Sequence, residues 1–359
     1  MLGVLLLLFL SSPVSAHPTY IRLGYASCTG CHQSSQGGGL LTPYGQGIAA
    51  TQSVITPKME DEEDAPEKKY LQAFQARVLN YKTKEESRTF PMQVDYLAQL
   101  KISKNVMIDG VLAVAPRPKD VAPGEEDPAH KRMYARVLSA TWILPTKLEQ
   151  RVRVGIGMLP IGLGIVDHTA YVRSDNRLQV TDNPVAVVHY FASTNFQGHS
   201  FIYLPNPHEE VENRERGLGM QLWWKAHPHI SLGVQGLTGE SESIKRRLGG
   251  LLLKAGKGRL AFMSEINRTW REIMEDKSEF RQWSWINELS VFPWESVRLY
   301  GSLQGLERDR AFIAREQRQA LGIDVRLWGR VTLAFEARTR LSGELTERSQ
   351  LIQAYLNWW

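Results

Sequence analysis

The stretch Arg330-Val331-Thr332-Leu333-Ala334-Phe335-Glu336-Ala337-Arg338-Thr339-Arg340-Leu341 alternates with period two. Val331, Leu333, Phe335, Ala337 and Leu341 fall on one face of an extended chain; Arg330, Thr332, Ala334, Glu336, Arg338 and Arg340 fall on the other. Successive side chains of a strand point to opposite faces, so this segment predicts a strand with one apolar and one arginine-rich side. Strict alternation over ten or so residues suits a strand standing between lipid and water. A soluble β-sandwich would hide its apolar faces in a core and rarely sustains arginine-rich inner faces over many strands.

The pattern extends backward. Leu321, Ile323, Val325 and Leu327 oppose Arg318, Ala320, Asp324 and Arg326, and Val152, Val154, Ile156 and Met158 oppose Glu149, Arg151 and Arg153. Sixteen strands are expected, near 70–82, 91–103, 105–117, 133–144, 148–158, 186–193, 196–204, 216–226, 229–239, 246–255, 258–270, 278–292, 294–306, 316–328, 330–341 and 349–358. Short joins (Lys104, 145–147, 194–195, 227–228, 256–257, Pro293, Gly329) alternate with long ones (119–132, 159–185, 206–215, 307–315). Short periplasmic turns and long external loops are the habit of outer-membrane barrels. The fold class expected for 70–359 is therefore all-β, a transmembrane antiparallel barrel of about 16 strands, both termini periplasmic. Trp142, Trp224, Trp270, Trp283, Trp285, Trp294 and Trp328 lie within or near strand ends, as interfacial girdles require, and the chain closes on Tyr355-Leu356-Asn357-Trp358-Trp359.

Ahead of the barrel, residues 4–10 form a short apolar run and Val14-Ser15-Ala16 a small-residue cleavage site, so 1–16 reads as a secretory signal peptide, although no Lys or Arg precedes the run. No later segment reaches the ~18 consecutive apolar residues of a membrane-spanning helix. The formal charge of +5 over 359 residues is modest and gives no reason to expect nucleic acid.

Both cysteines fall in Cys28-Thr29-Gly30-Cys31-His32, the C-x-x-C-H pattern of covalent c-type haem attachment. Two thiols at this spacing can add to the two haem vinyl groups, and the following histidine becomes the proximal ligand. A thioredoxin-type redox pair would open a helix inside a βαβ unit, whereas this pair sits in a polar, glycine-bearing stretch. A structural zinc site needs more ligands than His32 and His17 supply. Cys28, Cys31 and His32 are accordingly expected to bind one covalent haem c, with His32 as the iron's fifth ligand. Met59, His17, His189 and His199 all stay open as the sixth; a methionine would raise the reduction potential relative to histidine.

Residues 17–57 are too few to wrap a haem alone, and 58–69 is a charged linker. The haem segment is therefore expected in the periplasmic end of the lumen. Inward arginines such as Arg151, Arg153, Arg326, Arg338 and Arg340 either meet the haem propionates or serve as ordinary polar lining.

A single-haem motif followed by a porin-like barrel resembles the fused monohaem cytochrome c–porin family, whose best-known members are outer-membrane iron oxidases of iron-oxidising bacteria. Pro18-Thr19-Tyr20-Ile21-Arg22 looks like that family's lead-in to its haem motif, and Leu41-Thr42-Pro43-Tyr44-Gly45 like the aromatic–glycine stretch that follows it. Gln46, where a basic residue is expected, and Leu23-Gly24-Tyr25 depart from the pattern. The resemblance implies an outer-membrane electron-transfer protein, an Fe(II):cytochrome c oxidoreductase, set among outer-membrane lipid. It would pass electrons between an extracellular donor such as Fe(II) and a periplasmic c-type cytochrome or other carrier. Outward flow to an external acceptor and a diffusion pore with a haem-bearing plug are the competing readings. External acidic runs such as Glu125-Glu126-Asp127 and Glu209-Glu210 read either as metal-attracting or as plain solvated loops.

Overall fold

The computed structural model describes residues 18–23, 31–32, 40–51, 69–114, 133–164, 169–176, 178, 183–205, 214–309, 315–328 and 331–358. Sixteen strands follow in chain order. They are β1 (Tyr70–Lys82), β2 (Ser87–Lys101), β3 (Val106–Val114), β4 (Met133–Ile143), β5 (Glu149–Ile156), β6 (Val185–Ala192), β7 (Phe196–Leu204) and β8 (Arg216–His227). The second half holds β9 (Ile230–Glu240), β10 (Ile244–Lys257), β11 (Leu260–Ile273), β12 (Glu279–Trp294), β13 (Val297–Arg308), β14 (Arg315–Trp328), β15 (Val331–Ser342) and β16 (Leu345–Trp358). Each pairs antiparallel with its sequence neighbours, and β1 pairs with β16 from Phe74 opposite Trp358 to Lys82 opposite Gln350. Closure leaves no edge strand, the state a lipid-bathed sheet needs to satisfy its backbone.

All sixteen expected strands are present, and the differences lie at their ends. β16 starts at Leu345 and β2 at Ser87, four residues earlier than expected, because the hairpins before them are tight. In the first, Gly343 takes φ +60°, a left-handed conformation that glycine adopts without a steric penalty.

The alternation read from the sequence is a difference of solvent. On β15 Leu333 and Phe335 are exposed while Ala334 and Glu336 are buried; on β14 Leu321 is exposed beside buried Ala320 and Arg318. Apolar side chains thus face outward and polar ones inward, the reverse of a water-soluble sheet. Trp142, Trp224 and Trp294 are exposed at the short-turn end and Trp270 and Trp283 near the long-loop end. Trp283 and Trp294 lie eleven positions apart on β12. At ~3.3 Å per residue and ~40° tilt the two belts stand roughly 28 Å apart, the height of a lipid-facing band. Trp285 belongs to neither belt; it lies over Gly305, where a Cβ would stand 2.3 Å from its ring. Among the described residues no helix is long and apolar enough to cross a membrane.

Candidate functional site

The lumen is occupied by two pieces of the chain entering from opposite ends. From the long-loop end, the connection between β5 and β6 folds inward instead of standing in solvent. Its Leu163, Ala170 and Val172 join Trp223, Leu252, Met263 and Ile286 of the inner wall in one buried apolar cluster. Polar contacts fix its path: Gly162 N–H donates to Gln235 Oε1 at 2.6 Å and Leu163 N–H to Glu265 Oε2 at 2.9 Å. Gly162 has φ +83°, a conformation that favours glycine, and a Cβ there would press on the Glu265 carboxylate at 3.2 Å. Further along, Asn176 Nδ2 donates to Ser284 Oγ at 2.9 Å, and Asn176 Oδ1 accepts from Thr269 Oγ1 at 2.7 Å. Arg318 Nη1 donates to Thr169 Oγ1 at 2.8 Å.

From the short-turn end comes the amino-terminal segment. A short helix, α1 (Pro18–Ile21), sets Ile21 against the same apolar cluster. The next residue, Arg22, is only 4% exposed. Its Nη1 donates to Gly258 O at 2.9 Å, its Nη2 pairs with Glu295, and its guanidinium lies 4.6 Å from the centre of the Phe292 ring. Gly256 admits this approach, since a Cβ there would stand 2.7 Å from the Arg22 backbone. Beyond the haem-type motif, Leu40 packs on Ala73, Leu97 and Val111 of β1 to β3. Residues on either side of Cys31-His32 therefore rest on opposite sides of the inner wall.

Cys31 and His32 are both buried, His32 to 3% exposure. His32 forms an antiparallel bridge with Leu41, and Thr42 N–H donates to Cys31 O at 2.9 Å. Helix α2 (Pro43–Thr51) follows at once. A Cβ at Gly45 would stand 2.2 Å from the Cys31 carbonyl oxygen, so only glycine lets this helix close over the motif. A thiol and an imidazole withdrawn together from water, on a backbone clamped by a bridge and a helix, would suit a thioether-bearing cysteine and an iron-ligating histidine. Cys28, Met59, His17 and the acidic runs at 125–127 and 209–210 lie outside the described residues.

Two sequence expectations are corrected. His189 does not face the lumen: it shares the outer face with exposed Val187, lies 6.1 Å from the Phe191 ring, and its Nε2 is 3.1 Å from Gln150 Oε1. Strand alternation leaves only His199 of that pair inside, its ring 5.1 Å from that of Tyr190. The five arginines do not act as one group either. Arg338 pairs with Glu336 and Arg340 with Glu316 (2.7 Å) near the long-loop end, where Arg338 also reaches Thr169 of the inserted loop. Arg153 donates to Met158 O at 3.2 Å, and Arg151 pairs with Glu149 at 2.9 Å. Only Arg151 and Arg326 stand towards the end at which the haem-type motif enters.

A closed sixteen-stranded antiparallel barrel with a long loop folded into its lumen is the fold of the outer-membrane porins. The sequence matches no protein-family model, and it matches no curated protein. Solved structures share the fold at 8–9% identity. OmpT of Vibrio cholerae superposes with TM-score 0.62 at 8% identity, covering 82% of this chain and 99% of that one. An anion-selective porin from Comamonas acidovorans gives 0.60 at 9% identity, covering 80% and 99%. The outer-membrane channel DcaP of Acinetobacter baumannii gives 0.58 at 8% identity, covering 80% and 97%.

Arg22 is the polar anchor of the amino-terminal segment, and its loss has a measurable consequence. Arg22→Ala removes a buried guanidinium with two hydrogen-bonded partners, a change worth about 2 kcal/mol. Residues 17–57 should then open roughly 30-fold more often, so limited proteolysis of the folded barrel should release them at a correspondingly higher rate. Equal release from both proteins would show that Arg22 does not hold the segment.

Proposed function

We infer that this chain is an outer-membrane electron-transfer protein. Cys28, Cys31 and His32 carry one covalent haem c on the periplasmic side, serving electron exchange between extracellular Fe(II) and a periplasmic cytochrome. The supporting observation is the burial of Cys31-His32 between two flanks that rest on the inner wall of a membrane-type barrel. A haem bound there supplies one-electron redox chemistry.

The chain's own residues define the rest. The thiols of Cys28 and Cys31 would form the two thioethers, and the His32 imidazole would ligate the iron. The His32 imidazole is buried, its backbone is bridged to Leu41 just ahead of the helix that starts at Pro43, and Arg22 fixes the segment's approach from below. One redox centre cannot span a hydrocarbon layer of ~30 Å. The inserted loop shortens the gap: its Leu163, Ala170 and Val172 belong to the apolar cluster against which Ile21 packs, so protein reaching in from outside and the segment that carries the motif share one cluster.

Anaerobic titration of the oxidised, detergent-extracted protein with Fe(II) tests this reading. A sharp reduced c-type α-band should appear within seconds. A haem that dithionite reduces and Fe(II) leaves oxidised would remove Fe(II) as donor and favour outward flow. One observation favours a different reading, a diffusion pore: beside its apolar residues the wall from β1 to β4 and β16 carries paired polar side chains, with Arg77 donating to Gln353 and Arg136 pairing with Asp95. That reading requires open-channel steps from the full chain in planar bilayers, whereas a lumen closed by loop and segment gives none.

A further inference from the structure

The outer face of β10 to β12 breaks the apolar pattern at one level near the long-loop end. Cross-strand register puts Arg247, Trp270 and Arg281 side by side in one row, and Gly249, Arg268 and Trp283 in the row below. All six share the face of exposed Leu251, Ile266 and Leu289, which is the lipid side. Arginine and tryptophan thus alternate on a checkerboard across three strands. The Arg268 guanidinium lies 4.9 Å from the Trp270 ring centre and 5.1 Å from that of Trp283. Arg268 Nε is buried with no hydrogen-bond partner among the described residues. Next to Arg268 the wall is hollow, because Gly249 pairs with Gly236 of β9 and both point outward without side chains.

Charge at a lipid-facing surface is costly unless it meets a counter-charge there. Three guanidiniums clustered at the level of a tryptophan belt lack that partner within the two rows. Of the carboxylates around them, Glu307 pairs with Arg315 at 3.0 Å, Glu272 with Lys277 at 3.9 Å, and Asp309 accepts the Arg281 backbone N–H at 2.7 Å, while Glu279 stands two positions from Arg281 on the same face. The phosphates of the external leaflet lie at this height. Guanidinium forks match phosphate oxygens in geometry as well as charge, and a strip without side chains beside them leaves room for an acyl chain.

We propose that Arg247, Arg268 and Arg281 form a binding site for a phosphorylated glycolipid of the external leaflet, with an acyl chain lying over Gly236 and Gly249. Trp270 and Trp283 hold the Arg268 guanidinium in place by cation–π contact.

Native mass spectrometry of the full-length, detergent-extracted protein titrated with bisphosphorylated lipid A tests the site. The wild type should retain lipid A, and the Arg247→Gln, Arg268→Gln, Arg281→Gln triple variant should bind it about tenfold or more weakly. Dephosphorylated lipid A should be retained poorly by both, and millimolar inorganic phosphate should leave the complex intact. Arg268→Lys keeps the charge, so it should bind lipid A between the two; heat-modifiable gel mobility reports that each barrel is folded. Equal retention by the triple variant, or of the dephosphorylated lipid by the wild type, overturns the proposal. Displacement by inorganic phosphate also overturns it, reassigning the site to soluble anions.

Discussion

Replacing Cys28 and Cys31 together by serine should abolish covalent haem and leave the barrel assembled. Neither residue belongs to the sixteen-strand ladder, and the wall closes on itself through β1 and β16. Serine hydroxyls do not form the thioethers that thiols form with vinyl groups, so the expected loss is complete. Denaturing gels stained for haem should show a band in the wild type and none in the double variant. The reduced α-band should vanish with it, while heat-modifiable mobility of the barrel persists. His32→Ala separates attachment from ligation: the stain should remain while the ligand-dependent spectrum changes. An unstained wild type, expressed with the c-type maturation machinery, would sink the haem reading and leave the filled porin barrel.

The barrel was legible because lipid and water impose a binary choice at each alternate position. Leu333 outside and Glu336 inside need no knowledge of tertiary partners. Most short joins were as plain, but Pro293 and 256–257, expected as joins, lie inside β12 and β10, which run on to Trp294 and Lys257. What periodicity could not supply was the side of an isolated polar residue or the course of a long loop. His189 looked like a lumen residue because it is polar, yet the count from Val187 puts it outside, with Gln150 as its partner. The connection from β5 to β6 looked like an external loop because it is long. Its run Leu159-Pro160-Ile161-Gly162-Leu163 is too apolar for solvent, and that was the available signal. Burial of Leu159, Ile161 and Leu163 in the lumen explains it. The haem-type motif was plain from five residues, but the anchors that seat its segment, Arg22 and Leu40, depend on contacts with strands more than thirty residues away.

Glu265→Ala should release the inserted loop while the wall stays intact. Glu265 is 1% exposed, and its carboxylate accepts from Leu163 N–H at 2.9 Å, Gln235 Nε2 at 3.1 Å and Asn267 Nδ2 at 2.8 Å. Alanine leaves three buried donors without this acceptor, each costing about 1–3 kcal/mol. Gln235 retains a second acceptor in Asn267 Oδ1 at 2.6 Å, so the sum falls at the lower end, about 3 kcal/mol for the loop as a unit. The apolar cluster of Leu163, Ala170 and Val172 cannot hold the chain at register once the Leu163 amide is unpaired. Hydrogen exchange of 159–178 should therefore speed up by roughly 100-fold. Amides of β10 to β12 away from position 265 should keep their protection, because their ladder bonds do not involve the carboxylate. Gly162→Val should act in the same direction, since it forces a β-branched residue to φ +83° with its Cβ against the same carboxylate. If exchange rises equally across the wall, Glu265 supports the barrel itself; if it rises nowhere, the loop is held by its apolar contacts alone.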